Sequence, residues 1–312
     1  MLDDKGSKYY YSRLAEREQE IYHRISESLL RFETTLSIGR ISSADVQRII
    51  NAVLFDNPVF FYLNSQNIRL VQSPVGLELW FQYDYSQLEA EALWQAAQKK
   101  LDKFMHTRIK TDMKPLAKQI EAHRWMQQNI TIAEKPYTKE CFSLVGALVK
   151  GSCVCEGFAH AYKLICDRLH LASIIVTGTA VLPDKTTELH AWNITRINGV
   201  TAHIDVTWDT IGGFGSYDYF NLTDDEIAVD HIFDRNNYPA CFSNSLSYFA
   251  LNGFVAHNES ELRRIITENH QKEYLSVKLE FPCDRLHLAR CGAAYGKFRY
   301  NQARNIVFYA NS

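Results

Sequence analysis

Hydrophobic residues recur at helical spacing along the first third of the chain. In the stretch AEREQEIYHRISESLLRF, Ile21, Ile25 and Leu29 lie four positions apart and form one apolar stripe, which predicts an amphipathic helix. A second helix is predicted near residues 43–55, and the sequence DNP that follows should end it. Two strands, VFFYLNSQNIRLVQS and LELWFQYDY, are predicted around the break SPVG, and further helices near 87–105 and from beyond Pro115 to about 128.

The pattern changes from Cys141 onward. A helix over about 155–169 is followed by the strand SIIVTGTAV and by two alternating runs joined by the turn Asn198-Gly199. A capping box from Thr223 to Glu226 should open a short helix, and strands then alternate with helices to the end. We therefore predict an α+β protein with a mainly helical region over 1–120, a core over 121–240 and a small α+β extension over 241–312.

Composition narrows the function classes. The chain has 312 residues, 46% of them hydrophobic, which is ordinary globular composition. Its formal net charge is −2, so it lacks the excess of positive charge that is typical of nucleic-acid-binding proteins. Its apolar runs are of strand length, which argues against membrane insertion. The N-terminal sequence MLDDKGSKYYYSRLAERE lacks the apolar core of a secretion signal. We expect a soluble, cytoplasmic protein, or a secreted or surface-attached one if a signal has been removed.

The seven cysteines form no disulfide-scaffold pattern. An odd count leaves at least one thiol free within a monomer, and a reducing compartment is the simpler interpretation. Cys155 opens the predicted helix, with Ser152 as a candidate cap residue just upstream. Helix N-termini stabilise thiolates, and their N–H groups can hold an oxyanion. Cys153 precedes the helix and Cys166 lies three turns into it, so Cys155 is the candidate nucleophile.

The Asn-Gly hairpin supplies candidate partners for that thiol. If Ile197 pairs with Val200, then His190, Trp192, His203, Asp205 and Thr207 share one face of the ribbon. An aspartate diagonal to His190 could orient its ring and leave the other nitrogen to take a proton from a thiol. Asp205 and Asp209 are both diagonal to His190, and this geometry does not choose between them.

Three other interpretations concern the same face. Trp192 is predicted either to line a substrate groove or to pack and shield the site from water. His203 is expected to be solvated or hydrogen-bonded. Cys153, Cys155, His190 and His203 could in principle bind zinc, but the Cys-x-Cys spacing lacks the usual two to four intervening residues and no second knuckle follows. We therefore predict no metal and no cofactor.

Three motifs in order resemble the transglutaminase-like superfamily, particularly its bacterial members. They are CEGFA starting at Cys155, HAWN starting at His190 and DVTWD starting at Asp205, within a match that covers about residues 120–235 and includes YFNLTDDEIAVDH. The resemblance implies a papain-like core formed by a cysteine helix packed on a sheet. It also implies a catalytic triad of Cys155, His190 and Asp205, favours Asp205 over Asp209, and assigns the backbone N–H of Cys155 to the oxyanion.

The activity that the resemblance implies is acyl transfer on protein or peptide amides through a thioester on Cys155. Water as acceptor would make the protein a peptidase or deamidase, and an amine would make it a cross-linking transglutaminase; hydrolysis is preferred. We expect a protein or peptide substrate, no nucleic acid, no membrane partner and no calcium-binding acidic loop. The alternative from another class is a binding or scaffolding protein that keeps this fold without turnover.

Overall fold

The computed structural model describes residues 8–311, so the start of the N-terminal sequence considered for a secretion signal lies outside the described residues. The chain divides into two compact units. The first unit is Met1–Met113 with Ala133–Ile175, and the second is Lys114–Ile132 with Val176–Ser312. The two units interleave along the sequence, and the three-part division over 1–120, 121–240 and 241–312 stays a prediction.

The helices, in chain order, are α1 (Tyr9–Ser12), α2 (Glu16–Leu30), α3 (Ser43–Asp56), α4 (Gln87–Arg108), α5 (Pro115–Asn129), α6 (Cys155–Leu169), α7 (Val206–Ile211), α8 (Asp224–Ile227), α9 (Tyr248–Asn252), α10 (Glu259–Glu268) and α11 (Arg285–Cys291). The strands are β1 (Thr35–Gly39), β2 (Arg69–Ser73), β3 (Gly76–Trp80), β4 (Thr131–Ile132), β5 (Ser152–Cys153), β6 (Ala172–Val181), β7 (Thr187–Ile197), β8 (Val200–Ile204), β9 (Phe220–Leu222), β10 (His231–Ile232), β11 (Val255–Ala256), β12 (Tyr274–Leu279), β13 (Lys297–Asn301) and β14 (Ile306–Ala310). This mixture of helices and sheets confirms the α+β class.

The first unit packs α2 and α3 on a small antiparallel sheet of order β1-β3-β2. The predicted stripe of α2 is buried, with Ile21, Ile25 and Leu29 each at most 3% exposed, because burying an amphipathic face removes its apolar area from water. The predicted helices α3 and α4 are confirmed. The first predicted strand was too long, because Pro58 opens the 3-10 turn Pro58–Phe60 and only Arg69–Ser73 is strand.

The second unit contains a sheet of order β10-β6-β7-β8-β9, in which β6 begins in the first unit, and a sheet of order β11-β12-β14-β13. The predicted hairpin register is confirmed, with Ile197 opposite Val200. Asn198 and Gly199 have φ values of 50° and 84°, the left-handed conformation that a two-residue turn needs and that these residue types tolerate. The C-terminal alternation was also predicted, except for α9 and β13, although the sequence KFRYN of β13 alternates polar and aromatic residues.

Across residues 8–311, each helix falls short of the length or the apolar character needed to cross a bilayer.

Candidate active site

Cys155 is the first residue of α6, as the apolar pattern predicted, and its side chain is half-buried. Val154 occupies the N-cap position and makes no side-chain cap, whereas Ser152 lies in β5, so the prediction of Ser152 as the cap was wrong. The first N–H groups of an α-helix have no intrahelical acceptor and carry the positive end of its dipole. Cys155 therefore lies beside groups able to stabilise a developing negative charge.

The neighbouring thiols are in a different environment. Cys153 and Cys166 are fully buried, and all seven cysteines are free. Burial raises the pKa of the Cys153 thiol far above its usual range and that of Cys166 to about 12. Since a thiolate is the reactive species, both are expected to be inert, which leaves Cys155 as the accessible thiol of this segment.

Gly157 lets the chain before α6 approach the helix closely. A Cβ built at this position would lie 2.6 Å from the Cβ of Cys153 and 2.7 Å from the backbone oxygen of Cys141. Both distances are shorter than atoms of these types tolerate. The CEG sequence thus combines a thiol at the helix start with a glycine that permits close packing of the segment carrying Cys141 and Cys153.

In the second unit, His190 and Asp205 are brought together. His190 Nε2 lies 2.7 Å from Asp205 Oδ2, and both side chains are buried. His190 is in the middle of β7, whereas β8 ends at Ile204 and Asp205 becomes the N-cap of α7, where its Oδ1 accepts a hydrogen bond from the N–H of Trp208. Asp205 thereby fixes a helix start with one oxygen and the imidazole with the other.

This arrangement corrects the predicted ribbon. The sequence VTWD continues as a helix and not as a strand, so Thr207 does not lie opposite His190 on an extended β8. The alternation of the sequence does not show where a strand ends, and Asp205 is a strong N-cap residue that stops it there. Asp209 lies on α7 and its Oδ2 is 2.9 Å from His123 Nε2 of α5. The structure thus gives the two aspartates different histidine partners.

Asp205 also contacts a second histidine that the sequence analysis did not single out. His231 Nε2 lies 3.1 Å from Asp205 Oδ2, and His231 Nδ1 lies 2.8 Å from Asp230 Oδ1. The guanidinium of Arg304 donates a hydrogen bond of 2.7 Å to the same Asp230 oxygen. A buried network of contacting side chains therefore runs from His190 through Asp205, His231 and Asp230 to Arg304. His231 is the last residue of the sequence AVDH, which lies inside the stretch that carried the family resemblance and could have pointed to it.

The charges and hydrogen bonds of these linked side chains favour an ionised Asp205. Burial works to raise its pKa, but the charge of His190 and hydrogen bonds from His190 and His231 outweigh it and hold the pKa well below its usual range. The pKa of Asp230 is also lowered, because hydrogen bonding to His231 and the charge of Arg304 outweigh burial. A fixed carboxylate beside His190 stabilises the imidazolium form of that ring.

Trp192 and His203 form a second buried pair next to this network of side chains. Trp192 is 1% exposed, its indole stacks on the His190 ring at 5.9 Å, and its Nε1 donates to His203 Nδ1 at 3.0 Å. His203 Nε2 lies 2.9 Å from Asp224 Oδ1, so His203 is the hydrogen-bonded residue that was expected. The indole shields one face of His190, and the structure does not place it on the surface of a groove.

Possible metal ligands also cluster among the described residues. Three groups bring possible ligand atoms within 4.8 Å of one another: His190 with Asp205 and His231, His203 with Asp224 and Cys241, and Glu259 with His287 and Cys291. The zinc quartet considered from the sequence is not one of them. In the first two groups both nitrogens of His231 and of His203, and Nε2 of His190, already contact carboxylates or the indole N–H.

Comparison with known proteins gives few matches. No family model and no curated protein sequence matches the chain. A solved structure described as a candidate cysteine protease from Cytophaga hutchinsonii is 14% identical, with a TM-score of 0.31, covering 45% of this chain and 61% of that one. A structure described as a TGase is 11% identical, with a TM-score of 0.33, covering 64% of this chain and 53% of that one. The chain thus spans between half and two thirds of each of these proteins.

Proposed function

We propose that the protein is a cysteine-dependent acyl-transfer enzyme acting on protein or peptide amides. The observation that carries the proposal is the buried hydrogen bond between His190 and the carboxylate of Asp205, in a chain whose Cys155 opens a helix. These are the base, the orienting group and the nucleophile that covalent amide chemistry requires. The proposal requires the sulfur of Cys155 to reach the imidazole of His190 during the reaction.

In the proposed reaction, the Cys155 thiolate attacks the amide carbonyl carbon and its backbone N–H donates to the oxyanion. Because Asp205 holds Nε2 of His190, Nδ1 is the nitrogen that gives its proton to the departing amine as the C–N bond breaks. A thioester remains on Cys155. Water or a second amine then attacks it, Nδ1 accepts the proton of the attacking group, and the C–S bond breaks to restore the thiolate.

Hydrolysis is the preferred outcome of this cycle, and amine transfer is the alternative outcome. Incubation with glutamine-containing peptides, with and without an added alkylamine, distinguishes them by mass spectrometry. Cleavage, deamidation and amine incorporation each change the peptide mass differently. Products that persist unchanged in Cys155→Ala would contradict the proposed chemistry, whereas the absence of any product from the wild-type protein would favour a binding or scaffolding role.

Thiol mapping tests the nucleophile directly. With iodoacetamide below stoichiometry, Cys155 should be alkylated before the half-buried Cys141, Cys283 and Cys291, because only Cys155 starts a long helix. Cys283→Ser serves as the matched control, since it removes a half-buried thiol outside α6. Preferential labelling of any other cysteine would overturn the assignment.

A further inference from the structure

The cluster of Glu259, His287 and Cys291 shares no residue with the candidate active site and is built by two helices of the second unit. Glu259 is the first residue of α10, and His287 and Cys291 lie four positions apart on α11. Side chains at this spacing are neighbours on one face of a helix. A carboxylate oxygen, an imidazole nitrogen and a thiol sulfur are thereby brought within 4.8 Å of one another.

The two oxygens of Glu259 have different neighbours. Oε1 accepts a hydrogen bond of 2.7 Å from Nε of Arg263, one turn further along α10, whereas Oε2 lies 3.2 Å from His287 Nε2. The bond from Arg263 orients the carboxylate and leaves Oε2 directed at the imidazole. An ion pair on the surface of α10 accounts for Oε1 alone and gives no reason for the position of His287.

The imidazole nitrogen of this cluster is buried without a hydrogen-bond partner among the described residues. Although Glu259 Oε2 is 3.2 Å from His287 Nε2, the two atoms are not aligned for a hydrogen bond. A polar atom that is shielded from water in this way costs free energy, and a bound ion removes that cost. The nitrogen and the carboxylate oxygen are therefore arranged as two ligands of one cation.

The spacing of these atoms matches the coordination shell of zinc. Zinc binds nitrogen and oxygen at about 2.0–2.2 Å and sulfur at about 2.3 Å, so that in a tetrahedron nitrogen and oxygen lie about 3.3 Å apart and sulfur about 3.6 Å from each. The 3.2 Å between His287 Nε2 and Glu259 Oε2 agrees with the first value. Cys291 Sγ lies within 4.8 Å of both atoms, so a shift of about 1 Å completes the shell.

The kind and charge of the ligands also favour zinc. Calcium and magnesium prefer oxygen ligands, whereas zinc accepts sulfur, nitrogen and oxygen together. Burial raises the pKa of the Cys291 thiol above its usual range, and the positive charge of Arg263 only partly offsets this effect. A coordinating thiol is deprotonated by the metal itself, and its proton passes to solvent. The Glu259 carboxylate and the Cys291 thiolate then neutralise the two charges of the ion, and His287 binds as a neutral ring.

We propose that the second unit binds one zinc ion through Glu259 Oε2, His287 Nε2 and Cys291 Sγ, with water in the fourth position. The Glu259 side chain is 47% exposed, so water reaches the ion. The ion joins the start of α10 to the end of α11 and stabilises the packing of these helices. A zinc site here differs from the sequence-based prediction of no metal, which rested on the cysteine helix and the Asn-Gly hairpin alone. It is independent of the acyl transfer proposed above.

Zinc binding can be measured without turnover. In a Cys155→Ala background, which removes the thiol of the candidate active site, Zn²⁺ is titrated near neutral pH in competition with a chromophoric chelator. We expect one ion per chain with a dissociation constant below about 1 μM, weaker than that of closed four-ligand sites. His287→Gln and Cys291→Ser should each weaken binding about 100-fold or more, because loss of a ligand costs more than loss of a contact that orients one.

Two variants of the same unit serve as matched controls. Cys283→Ser removes a thiol that is not a member of the cluster and whose sulfur lies 3.8 Å from the backbone oxygen of Asp284. His257→Gln removes an exposed imidazole that contacts Glu280. Both variants should keep the zinc affinity of the parent protein, and circular dichroism checks the fold of all four. A loss of affinity in Cys283→Ser as large as that in Cys291→Ser would contradict the assignment of the ligands.

Protection from alkylation gives a second measurement that leaves the ligands intact. With excess iodoacetamide, one equivalent of Zn²⁺ should slow the alkylation of Cys291 about tenfold, because the thiolate is held by the metal. The alkylation of Cys141, a half-buried thiol of the first unit, should be unchanged. Equal protection of the two thiols, the absence of a stoichiometric zinc ion, or an affinity that survives both ligand variants would overturn the proposal.

Discussion

Asp205 serves two structural purposes at once. Its Oδ1 caps α7 and its Oδ2 contacts both His190 and His231. Asparagine is nearly as good a helix cap as aspartate, so a change to asparagine separates the cap from the charge. The chemistry assigned to His190 depends on the charge and not on the cap.

We predict that Asp205→Asn keeps the cap of α7, loses the stability that the ionised carboxylate contributes through its lowered pKa, and lowers the turnover number about 10²–10⁴-fold. Without the carboxylate, the His190 imidazolium loses its counter-charge and the tautomer with Nε2–H is no longer favoured. Steady-state kinetics on a cleaved or aminated peptide measures the loss, and circular dichroism checks the fold. Asp205→Ala is the comparison, because it should cost the same activity and about 1 kcal/mol more stability. Activity within twofold of the wild type would refute the role of Asp205.

His231 is expected to act as a positioning residue. Its Nε2 contacts Asp205 Oδ2, its Nδ1 contacts Asp230, and Arg304 donates to that same Asp230 oxygen. We predict that His231→Gln lowers turnover about tenfold. It should also move the acid limb of the pH–rate profile to higher pH, since a hydrogen bond that lowers the pKa of Asp205 is lost. A fall in activity with an unchanged pH profile would indicate a purely structural role.

At the scale of elements, helix α6 shows that helix propensity and close packing can favour different residues at one position. Helix propensity alone favours alanine over glycine at position 157 by about 1 kcal/mol. The segment before the helix leaves no room for the added carbon, with Cys153 and the backbone of Cys141 both within 2.7 Å of it. Packing therefore outweighs propensity at this position.

We predict that Gly157→Ala destabilises the protein by about 1–3 kcal/mol, because the backbone of residues 141–143 must shift. Urea unfolding measures the change, and Gly157→Ser, with one more heavy atom, should cost more. Alkylation of Cys155 should also be slower in Gly157→Ala than in the wild type, since displacing the preceding segment disturbs the start of α6. A stabilising alanine would show that the close approach is not maintained in solution.

The elements also show what the sequence could predict. The periodic patterns located α2, α3, α4, α5 and α6 within a few residues, and the Asn-Gly turn fixed the β7–β8 register. The end of β8 at Ile204 was not predictable from alternation. The strand ends there because the Asp205 side chain accepts a hydrogen bond from the N–H of Trp208 and caps α7. His231 was missed for a related reason, since its contact with Asp205 spans 26 residues and no local period reports it.

At the scale of the whole molecule, the two units differ in how their buried carboxyls titrate. In the first unit, burial raises the pKa of Asp56 to about 6, although the backbone N–H groups of Tyr10 and Tyr11 donate to it. In the second unit, hydrogen bonds and nearby positive charges outweigh burial, and the pKa values of Asp205, Asp224, Glu226 and Asp230 are lowered. Asp209 is an exception there, with a pKa raised to about 6 by burial.

These shifts predict that the two units respond differently to pH below about 4. A carboxyl whose pKa is raised by folding holds its proton more tightly in the folded state, so its stabilising effect is complete below about pH 4 and is lost as pH rises through 6. Asp56 should therefore make the first unit about 1–3 kcal/mol more stable at pH 5 than at pH 8. Carboxyls with lowered pKa values stabilise above about pH 4 and lose that effect as pH falls, so the second unit should weaken first below pH 4.

Urea unfolding followed by pulse-labelling hydrogen exchange gives the unfolding midpoint of each unit from its own peptides. Between pH 8 and pH 5 the midpoints of both units should rise, because Asp56 and Asp209 each have a pKa raised to about 6, and below pH 4 the midpoint of the second unit should fall first. Asp56→Asn should flatten the response of the first unit, because it removes the titrating group and keeps an oxygen for the N–H of Tyr11. Parallel midpoints at every pH would mean that the units unfold as one cooperative body, and the difference in their buried carboxyls would then have no separate effect on stability.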